Sequence, residues 1–230
     1  MTYPGALQGV NEKPYGMVVN STSMAETETG GSGSDQRRGA ILKIAHAAFL
    51  KDGYAATSMS RIAAKLGGSK STLYNYFSTK EELFAAVIDE KCRDVQAVMF
   101  AVELDPIDFR KTFANFVERV VRLSLLDNNI ATHRLITAEA ARFPELGRAF
   151  YMSGRHDTIQ MLANYFESAQ KAGSLKAADP SEMAALFGLL CRGKLFLQKL
   201  WNVTPEPSEE EIKAEVEQTV SVFLAVYGPV

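Results

Sequence analysis

The feature that most constrains the fold is an apolar repeat of three to four residues, which recurs along the chain from Gln36 onward. Such a repeat places the apolar side chains on one face of an α-helix. The first segment has five residues on that face: Ile41, Ile44, Ala45, Ala48 and Phe49. No segment alternates apolar and polar residues for long enough to form a strand. The sequence therefore predicts an all-α fold.

Capping and helix-breaking residues divide this repeat into separate helices. Gly53 stops the first helix, and Gly67-Gly68 stops the second. Hydroxyl side chains cap the second, third and fourth helices: Thr57/Ser58, Ser69 or Ser71, and Ser78-Thr79. The fourth helix is expected to run to about residue 102. The later helices are expected at about 105–126, 128–143, 144–152, 153–172, 180–201 and 208–228.

The chain divides into three parts by composition and pattern. Residues 1–34 are rich in Gly, Ser, Thr and Glu and have no apolar repeat, so we predict a disordered leader, with translation starting at either Met1 or Met24. Residues 35–82 are expected to form a three-helix, helix-turn-helix bundle. Residues 83–230 are expected to form a larger helical domain fused to that bundle.

Charge is distributed unevenly although the whole chain carries only −2. Residues 35–80 hold eight basic side chains against two acidic ones, whereas residues 81–230 sum to −6. A basic segment on an acidic body suits local binding to phosphates. A chance fluctuation of charge on a helical surface is the alternative.

The second and third helices, joined by a glycine turn, have the pattern of a DNA-binding helix-turn-helix. The third helix keeps Leu73 and Phe77 for the core. Its other face carries groups that read base edges in the major groove: Lys70, Ser71, Thr72, Tyr74 and Asn75. Tyr76 and Lys80 are placed to hold phosphates. A helix–glycine–helix also occurs by accident in other all-α proteins.

The string from Thr57 to Phe84 resembles the helix-turn-helix of the TetR/AcrR family of regulators, and the resemblance covers about residues 36–85. Its most specific part is the signature Ser69-Lys70, Thr72-Leu73-Tyr74, Tyr76-Phe77 and Lys80-Glu81. Two positions depart from the family's pattern. Gly68 replaces the usual valine of the turn, and Ser71 stands where glycine or alanine is common.

The resemblance implies a division of roles among the polar residues. Base contacts are implied for Lys70, Ser71, Thr72, Tyr74 and Asn75. Phosphate contacts are implied for Thr57, Arg61, Tyr76 and Lys80. As alternatives, Tyr74 is a packed aromatic residue and Arg61 is only a solvated charge.

The run from Arg134 to Phe150 resembles the AefR-like subgroup of the family. The family resemblance implies a C-terminal domain that binds a small-molecule effector and forms a dimer. Candidate effector contacts are Phe109, Phe113 and Phe116 on one helical face, with His133 and Phe150 as neighbours. The alternative for the phenylalanine face is plain core.

The last two helices, about 180–201 and 208–227, are the candidates for a homodimer interface. The first of them is apolar around much of its circumference and contains small residues that permit close approach of another helix. Such a helix either joins a symmetric four-helix interface, which the resemblance favours, or lies deep within its own domain.

Other classes of function have little support in the sequence. The histidines His46, His133 and His156 are scattered, no catalytic or metal-binding motif occurs, and Cys92 and Cys191 are interpreted as free thiols. We therefore expect no enzyme, no cofactor and no metal, and a cytoplasmic protein without membrane contact. The expected function is that of a repressor released from its DNA operator by a small-molecule effector. A helical carrier or enzyme, and a nonspecific nucleoid protein, are the rival interpretations.

Overall fold

The computed structural model describes residues 33–67, 70–101, 108–204 and 206–229, and within these ranges every regular element is a helix. The α-helices are α1 (Gly33–Asp52), α2 (Met59–Lys65), α3 (Lys70–Tyr74), α4 (Lys80–Met99), α5 (Phe109–Ser124), α6 (Asp127–Glu139), α7 (Pro144–Phe150), α8 (Asp157–Lys171), α9 (Pro180–Leu190), α10 (Lys194–Leu200) and α11 (Glu209–Tyr227). A π-helical segment, Tyr151–His156, joins α7 to α8. The all-α prediction is confirmed.

The predicted leader lies outside the described residues except for its last two. Gly33 and Ser34 form the first turn of α1, so this helix begins before the predicted boundary at residue 35. The predicted start of the fifth helix near residue 105 also lies outside the described residues.

Side-chain caps begin several helices at the residues that the sequence indicates, among them α2, α4 and α11. The hydroxyls of Ser58 and Thr79 accept hydrogen bonds from backbone N–H groups in the first turns of α2 and α4, at 3.3 and 3.0 Å. Ser208 and Glu211 form a reciprocal capping box at α11, with bonds of 3.2 and 2.8 Å. Local hydrogen bonding of this kind satisfies N–H groups that have no partner within the helix.

The single helix predicted over residues 180–201 is wrong, because the chain breaks between α9 and α10. The break lies at Gly193, and the start of α10 is held by a distant side chain. Glu215 of α11 accepts a hydrogen bond from the backbone N–H of Leu195 at 2.9 Å. A Cβ atom on Gly193 would lie 3.2 Å from that carboxylate, so the close approach favours glycine.

The π-helical segment is the second departure from the predicted helix pattern. Gly154 lies within it, and a Cβ atom there would approach Cys92 Sγ to 3.3 Å. The side-chain amide of Gln96 donates to the Ser153 carbonyl at 3.0 Å and to Thr158 Oγ1 at 3.1 Å. The π-helical segment is therefore packed closely against α4, through Cys92 and Gln96, at the point where its hydrogen-bond pattern departs from that of an α-helix.

Two apolar cores hold the fold together. The N-terminal core is formed by buried residues of α1 to α4 and by the α1–α2 turn, and it is completed by Ile136 of α6 and Leu146 of α7. The C-terminal core lies among α5, α8, α9, α10 and α11 and is rich in aromatic rings, including Phe113, Phe116 and Phe187. The helix-turn-helix bundle is thus packed directly on α6 and α7 of the larger domain.

Candidate functional site

Buried side chains hold the helix-turn-helix in place. Leu73 of α3 and Ile62 of α2 are fully buried, and Phe77, just after α3, is almost so. Between the two helices Gly67 has a φ of +63°, a conformation that a residue with a side chain adopts only with strain. These residues pack α3 into the N-terminal core, and the opposite face of α3 lies outside that core.

The face of α3 that points away from the core carries the residues for which base contacts are predicted. Lys70, Ser71 and Asn75 are exposed, and Thr72 is half-buried. The ring of Tyr74 is 47% exposed, which does not fit the alternative of a packed aromatic residue. Side chains of these types on an exposed helix are able to donate to and accept from base edges.

The residues for which phosphate contacts are predicted lie in different surroundings. Arg61 is exposed, and its guanidinium lies 3.3 Å from the Asp52 carboxylate. The hydroxyl of Tyr76 lies 3.5 Å from Ser34 Oγ at the start of α1. The Lys80 ammonium donates to the Tyr54 carbonyl at 2.9 Å and lies 4.1 Å from the centroid of the Tyr54 ring.

Thr57 is the residue whose position departs from its predicted role. Its side chain is 1% exposed, and its hydroxyl donates to the Gly53 carbonyl at 2.7 Å. A buried hydroxyl that is already bonded has no path to a phosphate of bound DNA. Thr57 therefore stabilises the α1–α2 turn rather than contacting DNA through its side chain.

The α1–α2 turn is bonded to the larger domain through contacts that sequence reasoning missed. Glu139 at the end of α6 accepts a hydrogen bond from the Ala55 N–H at 3.2 Å. The Tyr54 ring packs edge-on against Phe143 at 5.0 Å between centroids, and its hydroxyl donates to Glu81 at 3.0 Å. Burial and this hydrogen bond raise the pKa of Tyr54, so the hydroxyl stays protonated.

A cavity of about 130 Å³ lies in the larger domain. Its wall is formed by residues of α4, α5, α6, α8 and α9 together with Phe150, the π-helical segment and the α9–α10 turn. Much of the wall is apolar, including Met99, Leu162 and Phe187. An engineered apolar cavity of about 150 Å³ accepts benzene, so this one has room for a group of about ring size.

Two of the five predicted effector contacts, His133 and Phe150, lie on the cavity wall. Phe109, Phe113 and Phe116 do not, and they belong to the C-terminal core. The Phe113 ring packs against Phe223 at 5.0 Å, and the Phe116 ring stacks on Phe187 at 5.5 Å. The face that these three residues share is therefore plain core, because aromatic rings of neighbouring helices cover it.

The ionisable groups of the wall are shifted mainly by burial. Burial lowers the pKa of His133 to about 4, so the imidazole is neutral near pH 7, where it lies between the rings of Phe150 and Phe196. Burial raises the pKa of Cys92 to about 12 and also raises that of Cys191, so both thiols stay protonated. Over the described ranges, no group of three or more His, Cys, Asp and Glu side chains is arranged to hold a metal ion.

Sequence reasoning missed the basic residues of the cavity wall: Lys91, Arg155 and Arg192. They come from α4, from the π-helical segment and from the α9–α10 turn. One signal in the sequence is that Arg192 directly follows a strongly apolar run, where a charged residue is uncommon.

Family models match both parts of the chain. Residues 41–87 match the model of the tetR family of bacterial regulatory proteins. Residues 111–229, which are more than half of the chain, match the C-terminal domain of AefR-like transcriptional repressors. The chain belongs to the TetR family. Proteins of this family are DNA-binding transcriptional regulators, so the helix-turn-helix predicted from the sequence is confirmed.

Individual relatives agree with this assignment. The TetR-family chain is 34% identical to a solved structure called flavonoid-responsive regulator FrrA, with 85% of this chain and 98% of that chain covered and a TM-score of 0.73. It is 46% identical over 54 residues to the transcriptional activator FasR of Mycolicibacterium smegmatis, covering 24% of this chain and 25% of that protein. It is 30% identical over 127 residues to the repressor KstR2 of Mycobacterium tuberculosis, covering 53% and 60%. The matches to these curated relatives thus span a quarter to three fifths of their length.

Within residues 33–67, 70–101, 108–204 and 206–229, every helix is too short or too polar to cross a bilayer.

Proposed function

We propose that this chain is a homodimeric transcriptional repressor that leaves its operator when a small molecule occupies the cavity. The observation that carries the proposal is the double role of α4. The first half of this helix, with Phe84 and Val87, is buried in the N-terminal core. Its second half, with Val95 and Met99, lines the cavity, and Ile88 belongs to both. An occupant of the cavity therefore contacts the helix on which the DNA-binding bundle is packed.

The proposed DNA contacts follow from the exposed face of α3. Lys70, Ser71, Thr72, Tyr74 and Asn75 are proposed to read base edges in the major groove. Arg61, Tyr76 and Lys80 are proposed to hold phosphates. Although the Lys80 ammonium donates to the Tyr54 carbonyl, an ammonium has three donors, so it remains able to bind a phosphate.

The proposed dimer interface consists of α9, α10 and α11. Large apolar side chains remain exposed on these elements and on the turn after α10: Leu189, Leu197, Trp201, Val222 and Val226. Burying such residues against a second copy removes apolar surface from water. A symmetric dimer would place two α3 helices in successive major grooves, about 34–36 Å apart.

Effector release requires a difference in affinity. A small molecule shifts the protein away from the DNA-binding arrangement only if it binds the other arrangement more tightly. The contacts from Glu139 to Ala55 and from Phe143 to Tyr54 give this shift a second route to the helix-turn-helix.

Selection of bound duplexes from a random pool, followed by fluorescence anisotropy at several salt concentrations, tests DNA recognition. We expect a near-palindromic site, and we expect Asn75→Ala to reduce discrimination at one base pair per half-site by about 1–3 kcal/mol. Arg61→Ala should weaken binding to all sequences and reduce the salt slope by about one for each half-site, which is about two for the dimer. Gln160→Ala, on the exposed side of α8, is the matched control and should change neither quantity. Binding that is independent of salt would contradict the proposal in favour of a helical carrier, and binding without sequence preference would favour a nucleoid protein.

A further inference from the structure

The cavity wall has an unbalanced charge. Among its residues there are three basic side chains and no aspartate or glutamate. Lys91 is neutralised from outside the cavity, because its ammonium lies 2.6 Å from the Asp94 carboxylate. Arg155 and Arg192 form no ion pair and no hydrogen bond within the part of the chain that the structure describes. Two guanidinium groups at the cavity therefore lack a counter-charge.

Arg192 lies close enough to Arg155 to feel its positive charge. The residue as a whole is exposed, although many protein atoms surround its guanidinium. Burial, and after it the nearby charge of Arg155, lowers the pKa of Arg192. Two neighbouring positive charges with no carboxylate on the same cavity wall favour an anion beside them.

The neutral polar groups of the wall are mostly bonded within the chain. Ser124 Oγ donates to the Val121 carbonyl at 2.7 Å, and Thr132 Oγ1 donates to the Asn128 carbonyl at 2.8 Å. Asn129 donates its amide to the Leu123 carbonyl. Each of these groups already donates to a backbone carbonyl, so the wall has few neutral donors left for an occupant. The two arginines are left as the dominant polar feature of an apolar cavity.

From these observations we propose that the cavity binds a small carboxylate with an apolar body, the carboxylate pairing with Arg192 and Arg155 and the body lying against Met99, Leu162 and Phe187. A planar guanidinium matches a carboxylate with two parallel hydrogen bonds, which adds direction to the charge attraction. The neutral His133 ring contributes one N–H donor without adding charge. That such a molecule also acts as the effector rests on the proposed function above.

Isothermal titration calorimetry on the full chain tests the proposal with two matched pairs of probes. The first pair is 3-phenylpropanoate and its amide, and the second is octanoate and its amide. Each acid and its amide share one apolar body, so the ratio of their affinities isolates the carboxylate. We expect each acid that fits to bind about tenfold or more tightly than its amide, because a hydrogen bond to a charged partner is stronger than a neutral one. The two acids together distinguish an aromatic from an aliphatic body.

The variant Arg192→Gln should reduce that preference for the acid to about twofold or less while leaving the affinity of the amide unchanged. Arg192→Lys keeps the positive charge and should retain part of the preference. Arg110→Gln is the control, since Arg110 is exposed on α5 and does not line this cavity. Thermal denaturation without ligand checks folding. Because Arg192 is exposed and forms no ion pair within the described residues, the Tm of Arg192→Gln should stay close to that of wild type.

Equal affinity for acid and amide, failure of both acids to bind the wild-type chain, or an unchanged preference in Arg192→Gln would overturn the proposal. A further experiment tests this proposal separately from the proposed function. Whichever acid binds the free protein is added to the protein–operator complex, and release of the DNA is measured. Binding that depends on Arg192 but leaves the DNA complex intact would support the anion site and count against release by an effector.

Discussion

The hydroxyl of Tyr54 provides the sharpest test of how the helix-turn-helix is held. The ring is fully buried among Phe49, Phe84 and Phe143, so Tyr54→Phe leaves the aromatic packing in place. The change removes only the hydrogen bond to the Glu81 carboxylate at 3.0 Å. A hydrogen bond to a charged group contributes about 1.5–3 kcal/mol. Because Glu81 is exposed and water replaces the lost donor, we expect a loss of about 1 kcal/mol in the free energy of unfolding at pH 7.

The loss should depend on pH in one direction. Hydrogen bonds from its own backbone N–H and then from Tyr54 lower the pKa of Glu81. A carboxylate whose pKa is lower in the folded state stabilises the fold above its unfolded-state pKa, about 4.3, and loses that contribution as the pH falls through the folded-state value. The difference between wild type and Tyr54→Phe should therefore shrink below about pH 4.

Urea denaturation followed by circular dichroism at several pH values between 7 and 3.5 measures this difference. Tyr151→Phe is the matched control, since its ring is 54% exposed, and it should stay within about 0.5 kcal/mol of wild type at every pH. A destabilisation by Tyr54→Phe that is the same at both ends of the pH range would refute the assigned bond to ionised Glu81. So would a variant as stable as wild type at pH 7.

Two further substitutions test the packing and the proposed interface. Leu73→Ala removes a fully buried side chain from α3 and should lower the free energy of unfolding by about 2–5 kcal/mol in the same assay, with the exposed Ser60→Ala near zero. Leu189→Glu places a charge on the exposed apolar face of α9 and should shift sedimentation from dimer towards monomer, whereas Met161→Glu on α8 should not. A dimer of unchanged affinity in Leu189→Glu would place the interface elsewhere.

The parts of the fold that the sequence predicts well depend on neighbouring residues. Ser58, Thr79 and Ser208 cap helices through bonds to N–H groups three residues away, so the start of each helix is encoded locally. The left-handed φ of Gly67 is likewise a local property of the turn. The break between α9 and α10 is different, because its capping carboxylate, Glu215, comes from 20 residues beyond Leu195. A continuous apolar run gives no sign of a cap supplied by another helix.

The cavity was the harder feature to predict, for a related reason. The spacing of Phe109, Phe113 and Phe116 predicts that they share a buried face, and they are buried. Periodicity does not distinguish a face covered by aromatic rings from one that borders a void. The arginines at the cavity, Arg155 and Arg192, are far apart along the chain, and only the tertiary fold brings them to one cavity wall. Such a cluster is a property of the tertiary structure.

The same packing limits how an occupied cavity can affect the DNA-binding bundle. α6 presents His133 to the cavity and, one turn further on, Ile136 to the N-terminal core, while α4 presents Met99 to the cavity and Val87 to that core. Close-packed cores do not absorb a displacement by compression, so a change in the distance between α4 and α6 has to move the side chains on both sides. The hydrogen bond from Ala55 to Glu139 ties the α1–α2 turn to the same α6. Under the proposed function we therefore expect the orientation of α3 to depend on the spacing of α4 and α6, and a ligand that favours neither spacing would bind without releasing DNA.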